Sequence, residues 1–392
     1  MMAVSVVQEG AGAMAKDRSN IIEYVETEFA TFAERPFSEV DSLVLSKLSY
    51  LHWMAIPRLP HEFRGRKGPT LHSLYCAEWF GGLFETQMDR DFDRRFLAGV
   101  VASPRFRCVT IANHVDVVDE ACDKQFSATT FQLPDQSVYV AFRGTDNTIV
   151  GWKEDFNLAF VTPVPSQRAA RDYLERAARH LPGTLRVGGH SKGGNLAVYA
   201  AARCRPECQE RIAQVYSHDG PGFNRKALEH LSSTDISGRV SKTVPESSIV
   251  GMLLEHQEPY HVVRSDEVGI MQHDPYSWLV SDGAFVAAEG LDGGANLMDA
   301  TLSQWIDGMD AEHLERFTNA LFSVFGASGA KKFQDMTIED YKAQAEALVG
   351  MDPDERRMFL ETLSTLASIG ARNIASAADG AVSKLPFGQR PT

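Results

Sequence analysis

From Asn20 onward the apolar residues recur first at helical and then at strand spacing. Ile21, Ile22, Tyr24, Val25 and Phe29 share one helix face, with Ser19 or Asn20 placed to cap it. After Pro36-Phe37-Ser38-Glu39-Val40-Asp41 comes a second helical set, Leu43, Val44, Leu45, Leu48 and Leu51, for which Ser38 is the cap. Residues 71 to 100 continue the helical pattern. Then β-branched, alternating stretches predict strands at Val109 to Val118, Ser127 to Leu133 and Ser137 to Phe142. A helix over about 166 to 180 leads to a strand at Leu185 to Gly189, and further strands follow at Ile212 to Ser217 and His261 to Ser265, with a weaker one at Arg239 to Val244. This alternation predicts an α/β fold, a mostly parallel sheet with helices on both faces that ends near Phe285. From Asn296 the pattern is helical again, through Leu297, Leu302, Trp305 and Ile306, then Leu314 to Phe325, Tyr341 to Leu348 and Pro353 to Ile369. The expected organisation is a flexible tail at 1–19, an α/β domain with N-terminal helices at 20–290, a helical C-terminal module at 291–378 and a second flexible tail at 379–392.

A chain of 392 residues accommodates one large α/β domain with helical additions. With 44% hydrophobic and 23% charged residues it belongs to the globular class rather than the disordered one. Acidic residues outnumber basic ones by 52 to 39, so the net charge of −13 argues against nucleic acid as a partner, and a lipid would have to be held by apolar contacts. The five cysteines form no paired C-x-x-C motif, which leaves no zinc site, and Cys204 and Cys208, one helical turn apart, read as packing residues. No basic n-region followed by an apolar stretch opens the chain and no run of about eighteen apolar residues occurs, so the expectation is a cytoplasmic protein without a transmembrane segment.

Chemistry concentrates at Gly189-His190-Ser191-Lys192-Gly193. A Gly-x-Ser-x-Gly pentad gains meaning here because it follows a strand and opens a helix, the setting of a nucleophile elbow. Ser191 is the candidate nucleophile, and the backbone N–H of Lys192, at the positive end of the helix dipole, is a candidate oxyanion donor. The segment lacks the spacing of a phosphate-binding Walker loop. Phe142-Arg143-Gly144-Thr145-Asp146 ends an earlier strand, where the second oxyanion donor of such a site lies, and Thr145 offers both an N–H and a hydroxyl. The base and its orienting acid should follow in the order serine, acid, histidine. Of His218, His230, His256, His261, His273 and His313, we favour His273, in a loop shortly after the strand at 261 to 265, whereas His261 would begin that strand. Two acids remain open. Asp219 ends the strand Val215-Tyr216-Ser217 in the sharp turn Asp219-Gly220-Pro221-Gly222 and has the shorter, better preorganised side chain, while Glu246 lies later in the chain, where many hydrolases keep their acid.

Phe142-Arg143-Gly144-Thr145 with Trp152 and Asp155, followed by the pentad, resembles the class 3 lipases, the fungal triacylglycerol lipase type. The resemblance implies an α/β-hydrolase fold, a side-chain oxyanion donor at Thr145 and a supporting carboxylate at Asp155. The chain is more similar still to the bacterial Mbeg-like family of α/β-hydrolases. That likeness rests on Pro36 to Asp41, Phe142 to Phe156, Asp219 to Phe223, Ser247 to Met252 and Gln272-His273-Asp274, which together span about residues 20 to 285. The acid region departs from the class 3 pattern, whose Asp has Glu246 or nothing as its counterpart here.

Together these readings predict a serine hydrolase working through an acyl-serine on a carboxylic ester, with no metal and no organic cofactor. A lipid or lysolipid ester is the expected substrate, with Leu158, Phe160 and Val161 lining an acyl pocket. The same groups would serve a thioesterase or amidase, and a non-enzymatic binding or scaffold protein that keeps the fold is the alternative from another class. The oligomeric state is left open.

Overall fold

The protein is described by a computed structural model covering residues 19–63, 68–85, 89–146, 148–231, 236–332 and 335–383; of residues 230 and 378–383 only the backbone is described. The tail at 1–19 therefore lies outside the described residues apart from Ser19, as does the tail at 379–392 apart from the backbone of 379–383.

Asn20 starts helix α1 (Ile21–Thr27) with a capping box, its side chain accepting from the Ile22 N–H while Glu23 reaches back to the Asn20 N–H. Glu28 turns extended after Thr27, so Phe29, which the spacing places on the helix face, falls outside the helix and is 61% exposed. Helix α2 (Glu39–Leu48) begins in the same way at Ser38, with Asp41 as the residue that reaches back. Asp41 does more than cap. Its carboxylate is wholly buried against Arg105, whose Nε lies 2.7 Å and Nη2 2.6 Å away. Nη1 of Arg105 donates to the carbonyls of Ala30 and Arg35, and Nη2 to that of Pro36, so the guanidinium fork is satisfied in full. The stretch from 71 to 100 is not one helical unit. It breaks into 3-10 turns at His72–Leu74 and Ala77–Trp79 and a four-residue helix at Phe80–Leu83, and only then forms α3 (Arg90–Ala102). The Gly81-Gly82 pair is a poor helix former, and Asp89, capping the N–H groups of Asp91 and Phe92, restarts the helix.

Seven strands form one sheet in chain order: β1 (Thr110–Asp119), β2 (Lys124–Gln132), β3 (Val138–Phe142), β4 (Leu185–His190), β5 (Ile212–His218), β6 (Val240–Pro245) and β7 (Tyr260–Val263). The first two pairings are antiparallel and the remaining four parallel. Helix α4 (Ile149–Asn157), helix α5 (Pro165–His180), helix α6 (Lys192–Arg203) and helix α7 (Arg225–Leu231) fall between the parallel strands. Alternation along β3 sorts the core: Tyr139 and Ala141 pack with α1, α2 and α3, while Val138, Val140 and Phe142 pack with α5 and α6 on the other face. This is an α/β-hydrolase fold. The sheet does not extend to Phe285, because Ala284–Phe285 pairs instead with Val280–Ser281 as a separate hairpin, β8 and β9. Its turn, Asp282-Gly283, has both residues at positive φ, the tight geometry that favours local pairing.

Helices α8 (Gly293–Asp307), α9 (Ala311–Gly326), α10 (Ile338–Gly350) and α11 (Pro353–Ser383) follow, the last continuing into the segment read as a tail. They hold their own small core of Trp305, Phe317, Ala320, Phe359 and Ile369. Phe322 of α9 meets Phe156 of α4 edge to face at 5.5 Å, and the Ile149 N–H donates to Lys331 O at 2.9 Å.

The Arg105–Asp41 pair yields a direct expectation. Arg105→Met leaves a carboxylate buried without its cation, which should lower the unfolding free energy by about 3–5 kcal/mol. Denaturant titration measures this, and a change below about 1 kcal/mol would show that the pair does not hold α2 to the loop that leads from α3 into β1.

Candidate active site

Strand β4 ends at His190 and α6 begins at Lys192, so Ser191 makes the whole turn, at φ 58° and ψ −136°. A backbone this sharp brings the strand and the helix nearly into contact. A Cβ on Gly189 would sit 2.3 Å from the carbonyl carbon of Gly193, and one on Gly193 would sit 2.1 Å from Phe142 O, so both positions require glycine. The Ser191 N–H donates to His218 O at 2.9 Å, and Ser191 O accepts from the Gly194 N–H at 2.8 Å. The N–H of Lys192 then stands in the first turn of α6, at the end where the helix dipole favours negative charge.

The loop after β3 lies against this elbow. Gly144 approaches so closely that a Cβ there would fall 3.0 Å from Ser191 Cβ. Thr145 Oγ1 lies 2.5 Å from Asp155 Oδ2, on the following helix α4. The side chain of Lys192 is fully buried and fixes that helix: its ammonium donates to Gln125 O (3.1 Å), Gln125 Oε1 (2.7 Å) and Glu154 Oε2 (3.1 Å), with Asp155 Oδ1 at 3.7 Å. Glu154 also accepts the N–H groups of Gln125 and Ser166. Burial pushes the Asp155 carboxyl up to about 6, against the opposing pull of the Lys192 ammonium and the Thr145 hydroxyl.

His273 closes a 3-10 turn (Gly269–His273), and its Nδ1 lies 2.6 Å from Asp219 Oδ2. A carboxylate only accepts, so Nδ1 carries the proton and Nε2 keeps its lone pair. Asp219 itself takes a positive φ of 49°, is fully buried, and is pinned by its N–H to Thr243 O (2.7 Å) and at Oδ1 by Ser248 Oγ (2.5 Å) and the Gly251 N–H (3.1 Å). Among the described residues no hydrogen bond or ion pair joins the Glu246 carboxylate to His273, and Glu246 O accepts from the Asp292 N–H at the start of the C-terminal helices. Nor, among the described residues, does a hydrogen bond join Ser191 Oγ to the His273 ring; the ring of His190, the residue before Ser191, lies 4.5 Å from that of His273. His218 is buried on Ser42 Oγ and held down to about 3 by desolvation. His313 binds Thr362 Oγ1 in the C-terminal module, His261 lines a separate groove beside Phe37 and Ser241, His256 packs at a tilt against Tyr260, and the side chain of His230 lies outside the described residues.

Of the residues singled out from sequence, the fold thus brings together His273 with Asp219 and Thr145 with Asp155, beside Ser191 and Lys192, and it sets Glu246 apart. Glu154, Ser248 and Gly251 went unread, although each stands within a stretch that carries the family resemblance. Of Leu158, Phe160 and Val161, Phe160 lines a cleft of about 480 Å³ shared with Phe223, Ile306, Met309 and Leu314, and Leu158 and Val161 do not line that cleft. Leu158 is buried instead, and the carbonyls of Leu158 and Val161 are taken up by Asn224. Among the described residues no helix is long and apolar enough to cross a membrane.

The profile of the Mbeg1-like family matches residues 100–323. No curated protein matches the chain. Among solved structures the chain is similar to the Rhizomucor miehei lipase in its propeptide complex, at 20% identity over 40% of this chain and 57% of that one, with a TM-score of 0.31. It is also similar to a triacylglycerol lipase from Penicillium expansum (15% identity, 46% of this chain, 81% of that one, TM-score 0.31) and to the Lip2 lipase of Yarrowia lipolytica (13%, 49%, 76%, 0.31).

The raised carboxyl of Asp155 makes stability depend on pH in a defined sense. Its folded value of about 6 exceeds the ordinary 3.8, so the folded state retains a proton that the unfolded chain releases. The contribution is complete below the ordinary value and is lost as pH rises to about 6. Asp155→Asn should therefore gain stability relative to the parent as pH goes from 4 to 7, in paired denaturant titrations. A difference that stays flat with pH would contradict the assignment.

Proposed function

The chain belongs to the Mbeg1-like family, and we propose that this member is a serine hydrolase that cleaves carboxylic esters through an acyl-Ser191 intermediate. The observation that carries the reading is the 2.6 Å contact between His273 Nδ1 and Asp219 at the catalytic edge of the sheet, next to a serine held in the elbow conformation. In the proposed reaction His273 Nε2 takes the Ser191 proton as the oxygen attacks the ester carbonyl, and Asp219 holds the tautomer and stabilises the imidazolium. The Lys192 N–H and Thr145 stabilise the tetrahedral oxyanion. When Asp155 is protonated it donates to Thr145 Oγ1 and leaves the hydroxyl proton of Thr145 for the oxyanion. His273 then protonates the departing alcohol, and a water deprotonated by the same ring releases the acid and restores Ser191.

The favoured substrate class is the ester of an apolar acid. A net charge of −13 gives no attraction for an anionic surface, which favours an uncharged, apolar ester. A thioester or amide would pass through the same groups. We take residues 20–290 as the catalytic unit and 291–378 as the helical module, and the free cysteines fit the reducing cytoplasm.

A fluorophosphonate probe reacts only with an activated serine. It should label the parent protein and not Ser191→Ala, and that variant should also lose ester hydrolysis while remaining folded. An unlabelled parent, or unchanged turnover in the variant, refutes the proposal.

The acid is tested separately by Asp219→Asn and Glu246→Gln. An amide at the orienting position stabilises the wrong histidine tautomer, so Asp219→Asn should lower kcat by roughly 10⁴-fold and Glu246→Gln by less than about tenfold. The reverse ranking would move the acid to Glu246.

A further inference from the structure

Building on the proposed reaction, we propose that His190 and Tyr50 are positioning residues, forming a directional hydrogen-bond chain that registers the general base His273 against the oxyanion loop. His190 fills the variable position before the nucleophile, and its ring makes two contacts: Nε2 lies 2.8 Å from His273 O and Nδ1 lies 3.0 Å from Tyr50 Oη. The tautomer follows from these partners. A carbonyl oxygen only accepts, so Nε2 carries the hydrogen. A neutral imidazole has one N–H, so Nδ1 accepts and the phenol of Tyr50 donates to it, the more distant His190 O, at 3.3 Å, being the weaker alternative. The phenol oxygen also lies against Gly144, the residue before Thr145, where a Cβ would fall 2.2 Å from it. The hydrogen bonds run in one sense, from Tyr50 to His190 and from His190 to His273 O, and the first polarises the second.

His190 suits this role because it stays neutral. It is buried, and desolvation together with the neighbouring His273 holds it well below the ordinary histidine range. A charged ring would carry hydrogen on both nitrogens, so Nδ1 would donate to Tyr50 Oη and the direction of that bond would reverse. A neutral one also avoids repelling the imidazolium that forms on His273 during turnover, with the two rings 4.5 Å apart. The turn that carries His273 exposes Val268, Ile270 and Met271 to solvent, while Gln272 is buried and held by the Ser247 N–H and the Trp278 indole. The grip of His190 on the His273 carbonyl extends this anchoring to the base itself, and it complements the contact of His273 Nδ1 with Asp219.

Three variants test the chain: His190→Leu, His190→Gln and Tyr50→Phe, each checked for an unchanged thermal transition. Glutamine places an N–H near the position of Nε2, whereas leucine keeps bulk without a donor. His190→Leu should lower kcat by about 10²-fold with KM within about threefold, and His190→Gln should recover to within about tenfold of the parent. Tyr50→Phe, which removes only an oxygen, should lose about tenfold in kcat, and it carries the test if His190→Leu fails to fold. Variants equal to a reactive parent, or glutamine no better than leucine, overturn the inference alone. A parent that does not react with the fluorophosphonate overturns the function and the inference with it.

Discussion

Everything at the catalytic edge is measured from one strained residue. Ser191 stands at a positive φ that costs a non-glycine residue on the order of 1–3 kcal/mol, and such a conformation persists only where its surroundings over-determine it. Here they do. Strand β4 is paired on both sides, by β3 and by β5, Gly189 and Gly193 allow the helix to rise directly from the strand, and the Ser191 N–H is bonded across to β5. The elbow is thus the corner of a rigid frame, and the loops on either side take their positions from it.

The loop after β3 is held to the elbow partly through the side chain of Lys192, in addition to the ion pair of Arg143 with Asp116. A buried ion pair gains little net stability, since desolvation offsets most of the attraction. Its value lies in geometry: Lys192 belongs to the first turn of α6, Glu154 to α4 and Gln125 to β2, so a shift of α4 away from the elbow would strand a buried ammonium. The neighbouring Asp155, which meets Thr145, is carried to its place by the same clamp. On its outer side α4 packs against Phe322 of α9, which makes the C-terminal module part of the support of this loop.

The sequence makes legible what local pattern controls. Strand alternation at 138–142, the strand-turn-helix context of Ser191 and the turn at Asp219 are each written in a few consecutive residues, and they place the sheet, the candidate nucleophile and one candidate acid. The breaks at Gly81-Gly82 and the separation of the hairpin at 280–285 were hidden, because apolar spacing alone does not register a weak helix former or a tight positive-φ turn. The partners were hidden for a different reason. Lys192 with Glu154 is a pairing across 38 positions, and Tyr50 with His190 one across 140. Periodicity says that such positions are covered, but not by what. The family-like stretches pointed to the right segments, including Glu154 and Ser248, without saying what the residues do there.

The N-terminal helices look like an addition to the sheet when read in one dimension, yet the hydrogen bonds make them part of the site. Ser42 of α2 bonds His218, the residue before Asp219, and Tyr50, just past the same helix, bonds His190, the residue before Ser191. The two histidines are linked in turn, since His218 O accepts the Ser191 N–H. Both are buried and held neutral, so each offers a fixed pattern of one donor and one acceptor rather than a charge. One helix and the turn after it therefore grip the residues immediately preceding the serine and the aspartate, and α2 is itself tied to the loop between α3 and β1 by the fully satisfied Arg105–Asp41 pair. Because a displacement of about 1 Å between reacting groups can cost about 10²-fold in rate, fixing the strand before Ser191 and the strand before Asp219 to a common helix would serve the proposed reaction from a distance.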